Sequence, residues 1–181
     1  SARLAILKLN KHLGRQAVTA IQIHTSPNQE KSSSSAVSLE SSLTTMLSWN
    51  WDGAQLVIEH CDAYVEGQAA QKGFLSLEDE ITALKNVNKQ STKNKKVGIT
   101  INWGRSAIET QSAAGVIDHI NQVKAANLLT GLMFSGASDV ETPYGVWKDT
   151  HMPPAQAFDI TSFAQGSLLT ADEIKKSLIA S

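Results

Sequence analysis

The stretch that most constrains the fold is QLVIEHCD, residues 55–62, in which an apolar run ends in four polar or reactive side chains. A buried parallel strand that delivers chemistry at its carboxyl end has this pattern. Because side chains alternate along a strand, we expect Glu59 and Cys61 to share one face and His60 to lie on the other. A carboxylate buried there must be paired, hydrogen-bonded or bound to a cation. Glu59 is therefore either a site residue or a structural cap for a neighbouring backbone N–H.

Strands and helices alternate along the chain. Apolar periodicity and capping residues predict helices at residues 2–13, 39–47, 77–84, 116–123 and 170–178. Runs rich in Val, Ile and Thr predict strands at residues 17–25, 55–62, 97–103 and 131–134. This alternation implies right-handed crossovers and a parallel sheet, and no Gly-rich phosphate motif follows any strand. The predicted fold class is therefore α/β without a nucleotide-binding signature.

The number of strands leads to a specific architecture. Four strands are too few to close a (β/α)8 TIM barrel, which needs eight. We predict a single α/β domain over residues 1–181 that forms a partial TIM barrel. The other strands would lie outside this chain. The start at Ser1-Ala2-Arg3, without Met and directly on a helical pattern, also indicates part of a longer product.

Composition narrows the functional classes. The chain has 181 residues, 41% of them hydrophobic, and a formal net charge of −1, which is ordinary for a soluble domain. Nothing in this balance indicates binding to nucleic acid or to a membrane surface, and no apolar run is long enough to span a bilayer. A single cysteine, Cys61, excludes an internal disulfide. We therefore expect a cytoplasmic protein with neither a nucleic-acid nor a membrane partner.

Two polar segments are predicted to be functional loops. Residues 28–35, with four consecutive serines, follow a strand, and residues 139–157 contain three of the four prolines. In the longer loop, Asp149 and His151 would form a metal-binding or acid–base pair if the loop folds inward, and a solvated pair if it does not. Trp147 could stack on a ligand ring.

Polar side chains follow every predicted strand. They are His24, Glu59, Asn102, Arg105 and Ser135, and the carboxyl ends of barrel strands converge on one face. The guanidinium of Arg105 suits recognition of a carboxylate, phosphate or hydroxyl group. These five residues are therefore predicted to share a binding site. The residues predicted to contact the substrate are His24, Asn102, Arg105 and Ser135, together with Trp147 from the long loop.

Five blocks carry a family resemblance: IEHCDAYVEGQ, KGFLSLEDEI, GITINWGRSAIE, GLMFSGAS and TPYGVWKDTHMPP. Together they cover most of residues 55–155 and resemble a bacterial family of uncharacterised proteins, which in turn is similar to the xylose-isomerase-like (β/α)8 barrels. This resemblance implies that the chain is the C-terminal half of such a barrel.

The resemblance also implies a divalent metal held by carboxylates and a His at strand ends. Glu59 matches the first carboxylate ligand. In those barrels the next strand ends with an Asp, which is followed three residues later by a His. In this chain the two positions hold Asn102 and Arg105. The strand after that usually supplies a His, whereas this chain has Phe134 and Ser135 there. Arg cannot be a ligand. The expected cofactor is manganese, magnesium, cobalt or zinc bound by Glu59, or none.

These residues lead to hypotheses from different classes. The first is a sugar isomerase or epimerase acting on a small polyhydroxylated substrate, with Glu59, Asp149 and His151 in catalysis. A metal-free alternative is glycoside hydrolysis by Glu59 and Asp149. Another is a barrel that only binds a carbohydrate, which the changed ligand positions favour. A half-barrel would also need a partner, either the missing N-terminal half or a second copy in a homo-oligomer.

Overall fold

The computed structural model describes residues 1–25, 35–91, 96–155 and 164–181. Helices and strands alternate along these residues. The elements are α1 (Ala2–Leu13), β1 (Ala20–Ile23), α2 (Ala36–Leu47), β2 (Gln55–His60), α3 (Leu77–Gln90), β3 (Gly98–Asn102), α4 (Trp103–Thr110), α5 (Ala113–Ala125), β4 (Leu129–Met133) and α6 (Ala171–Ala180). No helix in the described ranges has the length and apolar character needed to cross a membrane.

The four strands form one parallel sheet in the order β1-β2-β3-β4, so strands that follow each other in the chain are neighbours. The register places Ile23 opposite Ile58 and Glu59 opposite Thr100. The prediction of a parallel sheet with alternating helices is confirmed. This arrangement is consistent with part of a barrel, although the four strands do not close one among the described residues.

The two faces of the sheet differ in character. Ile58, Ile99 and Ile101 point to one face and belong to a core cluster that also contains Leu84 and Ile120 from helices. All five are essentially inaccessible to solvent. Burying an Ile or Leu side chain stabilises a fold by roughly 1.5–3 kcal/mol, so this face anchors the domain. The opposite face carries Glu59 and Asn102, whose side chains are hydrogen-bonded to each other.

Three helix ends follow the predicted capping chemistry. The hydroxyl of Ser76 accepts a hydrogen bond from the backbone N–H of Asp79 at the start of α3, and Thr170 accepts one from Glu173 at the start of α6. Gly14 ends α1 with φ 62°, a left-handed conformation that favours glycine. The capping pattern alone was sufficient to place these ends.

Helix α4 was not predicted, and the predicted strand over residues 97–103 extends one residue too far, because Trp103 begins the helix. The side chain of Asn102 caps the helix by accepting from the N–H of Arg105, so the last strand residue is also the N-cap. Gly104 allows this tight junction: a Cβ atom there would lie 2.6 Å from Oγ of Ser135. The first six residues of this helix, Trp103 to Ile108, are all buried.

The structure describes only part of each of the two predicted loops, residues 28–35 and 139–157. Most of residues 28–35 and the end of residues 139–157 lie outside the described residues. The rest of the longer loop packs back on the domain. Gly136 donates its N–H to the carbonyl of Met152 at 2.7 Å, and Trp147 donates to the carbonyl of Ser138 at 2.8 Å. The described part of this loop is therefore fixed next to the carboxyl end of the sheet.

Candidate functional site

The carboxylate of Glu59, at the carboxyl end of β2, is held from both neighbouring strands. Gln22 donates from Nε2 to Oε2 at 2.7 Å, and Asn102 donates from Nδ2 to Oε1 at 2.8 Å. His24 places Nε2 3.0 Å from Oε2. The sheet register causes this arrangement, because Gln22 pairs with Val57 two residues before Glu59. Glu59 thus has one defined orientation.

These contacts determine the charge of the site. Burial raises the pKa of Glu59, but the hydrogen bonds from Asn102, Gln22 and His24 outweigh that effect, so its pKa lies below the ordinary value. The Glu59 carboxylate is therefore ionised at neutral pH. The side chain of His24 is 49% exposed, which leaves an open side next to an otherwise buried anion.

The amide of Asn102 has one orientation. Its Oδ1 accepts from the hydroxyl of Ser135 at 3.0 Å and from the N–H of Arg105 at 3.4 Å. Its Nδ2 therefore points to Glu59. The structure brings together four predicted site residues, His24, Glu59, Asn102 and Ser135, in one hydrogen-bonded chain.

Arg105 is engaged by carboxylates. Its NH1 lies 3.4 Å from Oδ1 of Asp62, and its NH2 forms an ion pair with Asp149. The side chain of Arg105 is only 8% exposed, and its Nε has no hydrogen-bond partner within the described ranges. Asp62 also accepts from the N–H of Lys72 at 2.7 Å. Arg105, near the start of α4, therefore links the segment that follows β2 to the long loop.

The long-loop residues separate in space. Asp149 points inward to Arg105, whereas His151 is exposed and has φ 52°. Trp147 is half-buried and lines a small cavity together with Asp62. None of Trp147, Asp149 and His151 hydrogen-bonds to Glu59 in the described part of the chain. The structure therefore places His24, Glu59, Asn102 and Ser135 in one group and Arg105 with Asp149 in another.

Two residues of the Glu59 site were missed by sequence reasoning. Gln22 lies two positions before His24 on the same strand face, so the period of two could have identified it. Phe74 lies with its ring centroid 6.2 Å from that of His24, at an interplanar angle of 32°. A parallel bridge between Ala63 and Phe74 brings it there, and no local pattern indicates this contact.

A divalent metal at Glu59 does not fit the donor set. His24, Glu59 and Cys61 each place one potential ligand atom within 4.8 Å of the others. However, two amide N–H groups occupy the oxygens of Glu59, and the amide oxygen of Asn102 points toward Ser135. Burial, with the nearby Glu59 charge, raises the pKa of Cys61 to about 12, so a thiol stands there instead of a thiolate ligand. The arrangement suits a neutral polar ligand better than a cation.

The sheet and its polar carboxyl edge define an α/β protein with a candidate small-molecule site. The chain belongs to the family described as domain of unknown function DUF4862, and the family model matches residues 1–181. It is 32% identical over 177 residues to an uncharacterised protein of Salmonella typhimurium, a match that covers 96% of this chain and 52% of the relative. The chain thus spans about half the length of that curated relative. No solved structure matches it.

Proposed function

We propose that the Glu59 site binds a small polyhydroxylated molecule, a sugar or sugar acid, and isomerises or epimerises it. The observation that carries the proposal is an ionised carboxylate fixed on both oxygens, with the half-exposed imidazole of His24 3.0 Å away. A general base must be deprotonated at the working pH and held in one orientation, and Glu59 meets both conditions.

The chemistry assigned to these residues is proton transfer next to a carbonyl. Glu59 takes the proton from the hydroxyl-bearing carbon beside the carbonyl group and gives it to the carbonyl carbon. The proton of that hydroxyl group moves to the former carbonyl oxygen, and the imidazole of His24, beside Glu59, is the group that we assign to carry it. Each transfer returns the proton that it removes, so the residues end in their starting state. No step requires a metal.

A polyhydroxylated ligand suits the surroundings of Glu59. Gln22, His24 and Ser135 offer amide, imidazole and hydroxyl groups, the partners that sugar hydroxyls use. Phe74 adds an aromatic surface beside His24, on which the C–H face of a sugar ring can pack. The single buried thiol of Cys61 is compatible with a reducing cytoplasm, which is the setting that we propose.

The architecture that we propose for this site is half of an eight-stranded barrel of the xylose-isomerase-like kind. Two features support it: neighbouring strands follow each other in the chain, and polar side chains gather at their carboxyl ends. The remaining strands would come from further sequence in the same product or from a second copy. The greater length of the Salmonella relative supports the first source.

Solvent isotope exchange tests the reaction. The complete gene product is incubated in deuterium oxide, with a chelator present, with a panel of aldoses, ketoses and sugar acids. Proton NMR then follows exchange at the carbon next to the carbonyl. We expect exchange with at least one sugar, its loss in Glu59→Gln, and its retention in Glu66→Gln, which alters an exposed loop carboxylate. Exchange that persists in Glu59→Gln contradicts the assignment of the base.

The second candidate is a barrel that binds a sugar without converting it. The lowered pKa of Glu59 favours this reading, because a carboxylate saturated with hydrogen bonds is a weak base. A sugar that binds to the protein, shows no exchange and still binds to Glu59→Gln would favour this candidate over the enzyme.

A further inference from the structure

A second polar cluster is buried on the face of β2 opposite to Glu59. It consists of His60 from β2, Glu80 from α3, Glu109 from α4 and His119 from α5. The side chains of His60 and Glu80 are 0% exposed, and those of His119 and Glu109 are 9% and 12% exposed. Four separate elements thus bring ionisable groups into the interior, which is costly without a compensating role.

Each imidazole in this cluster is fixed through Nδ1. Nδ1 of His60 lies 2.8 Å from Oε2 of Glu80, which in turn accepts from Thr25 at 2.7 Å through its other oxygen. Nδ1 of His119 lies 3.1 Å from the hydroxyl of Ser106. A hydrogen-bond partner on one ring nitrogen that orients the other nitrogen is the usual arrangement of metal-binding histidines.

The Nε2 atoms of both rings then face one carboxylate, that of Glu109, whose Oε2 also accepts a hydrogen bond from the backbone N–H of Ala63 at 2.9 Å. Nε2 of His60 lies 2.9 Å from Oε2 of Glu109, and Nε2 of His119 lies 3.8 Å from Oε1 of the same group. The two rings stand edge to face, with centroids 5.2 Å apart. The distance of 3.8 Å is too long for a hydrogen bond, so the ion pair of His60 with two carboxylates does not explain the position of His119.

We propose that His60, Glu109 and His119 form a three-ligand site for a transition metal of the zinc type. Their ligand atoms all lie within 4.8 Å of one another. Tetrahedral ligands at the usual Zn–N and Zn–O lengths of about 2.1 Å stand about 3.4 Å apart. The distances from the two ring nitrogens to the nearer oxygen of Glu109, 2.9 Å to Oε2 and 3.8 Å to Oε1, lie on either side of that value. Two histidines with one carboxylate are an established ligand set for zinc.

A small cavity lies beside Glu109, although neither His60 nor His119 lines it. This carboxylate lines a cavity of about 20 Å³ together with Asp62, Gln68 and Trp147. That volume is enough for a single water molecule, which needs about 10–15 Å³ on the same measure. Three protein ligands with a water in the fourth position are typical of zinc sites that activate water or bind a small anion. This site is independent of the function proposed for Glu59.

Zinc binding to the complete gene product tests the proposal. The metal-free protein, prepared with a chelator, is titrated with zinc, and bound metal is quantified. We expect about one zinc per chain, with affinity reduced at least roughly tenfold in Glu109→Gln and in His119→Gln, and about 10- to 100-fold in Glu80→Gln, which alters only the orientation of His60. Binding should be unchanged in Glu59→Gln and His24→Gln, which alter the other group of potential ligands.

Two outcomes would overturn the site. The first is the absence of stoichiometric zinc in the unaltered protein, and the second is zinc that Glu59→Gln removes while Glu109→Gln retains it. If a variant fails to fold, the imidazole nitrogen NMR signals of the unaltered protein decide. Zinc should shift the Nε2 signals of His60 and His119, and shifts confined to His24 would contradict the proposal. Cobalt in place of zinc should give the visible bands of a tetrahedral site.

Discussion

Nε2 of His60 lies 2.9 Å from Oε2 of Glu109, although β2 and α4 are 49 residues apart at these positions. The same carboxylate faces His119 through its other oxygen at 3.8 Å. The two histidines therefore share one anion but have opposite pKa shifts, upward for His60 and downward for His119. In the metal-free protein His60 is therefore positively charged at neutral pH and His119 is neutral, and this leads to two separate predictions.

The alkaline side of the stability profile should depend on His60. Its folded pKa of about 10 exceeds the ordinary 6.5, so its charge stabilises the metal-free fold fully below pH 6.5. That contribution is lost as the pH rises toward 10. We expect His60→Gln to flatten this loss, measured as the free energy of unfolding in urea with a chelator present. His12→Gln, in an exposed helix end, is the control and should leave the profile unchanged.

The stability of the metal-free protein at acidic pH should depend on His119. Its folded pKa of about 4 lies below 6.5, so the neutral side chain contributes stability above pH 6.5 that is lost as the pH falls toward 4. We expect His119→Gln to reduce the loss of stability between these values in the metal-free protein. A profile as steep in the variant as in the unaltered protein would contradict the burial of a neutral His119.

Asn102→Asp should raise the pKa of Glu59. The substitution replaces an N–H donor 2.8 Å from Oε1 with a second carboxylate, and like charges at that distance cannot both be ionised without a large cost. Carboxyl carbon NMR should detect an upward shift of Glu59. The matched control is Asn86→Asp, because Asn86 donates to Glu40 at 2.8 Å outside the site and should leave Glu59 unaffected. An unchanged Glu59 titration in Asn102→Asp would show that this contact does not form.

Asp149→Asn should destabilise the fold by about 3 kcal/mol, because among the described residues it leaves the buried Arg105 guanidinium with Asp62 as its remaining carboxylate partner. Urea unfolding measures the change. The exposed pair of Lys176 and Glu173 is the control, and Lys176→Met should have no measurable effect. A similar result for both variants would mean that the Arg105 contact is solvated.

Gly104→Ala should disturb the junction between β3 and α4. The added Cβ atom would lie 2.6 Å from Oγ and 2.8 Å from the carbonyl oxygen of Ser135, and the backbone oxygen cannot move freely. We expect a cost of about 1–3 kcal/mol in urea unfolding. Gly131→Ala is the control, because its Cβ would meet Thr100 at 3.4 Å. Equal stability of the two variants would contradict the close packing.

Local patterns predicted much of the fold. Ser76, Thr170 and Gly14 identified three helix ends because capping depends on neighbours within a few residues. The alternation along β2 correctly separated His60 from Glu59. Strand-end side chains also identified the group around Glu59, although the roles assigned to its members remain predictions.

Contacts between distant segments could not be predicted in this way. The sequence does not indicate that α3 and α4 would supply Glu80 and Glu109 to His60, since they follow it by 20 and 49 residues. Nor does it indicate that Asp149 would pair with Arg105 and leave His151 exposed. Helix α4 was missed because its cap, Asn102, also completes a strand.

The order of the sheet has a consequence for synthesis on the ribosome. Each strand from β2 to β4 pairs with the strand that precedes it in the chain, and none has to wait for a later strand to provide its first partner. Pairing of each strand with the preceding one favours growth of the sheet from β1 toward β4 as the chain emerges. Nascent chains that end after α3 should already protect the amides between β1 and β2 from hydrogen exchange.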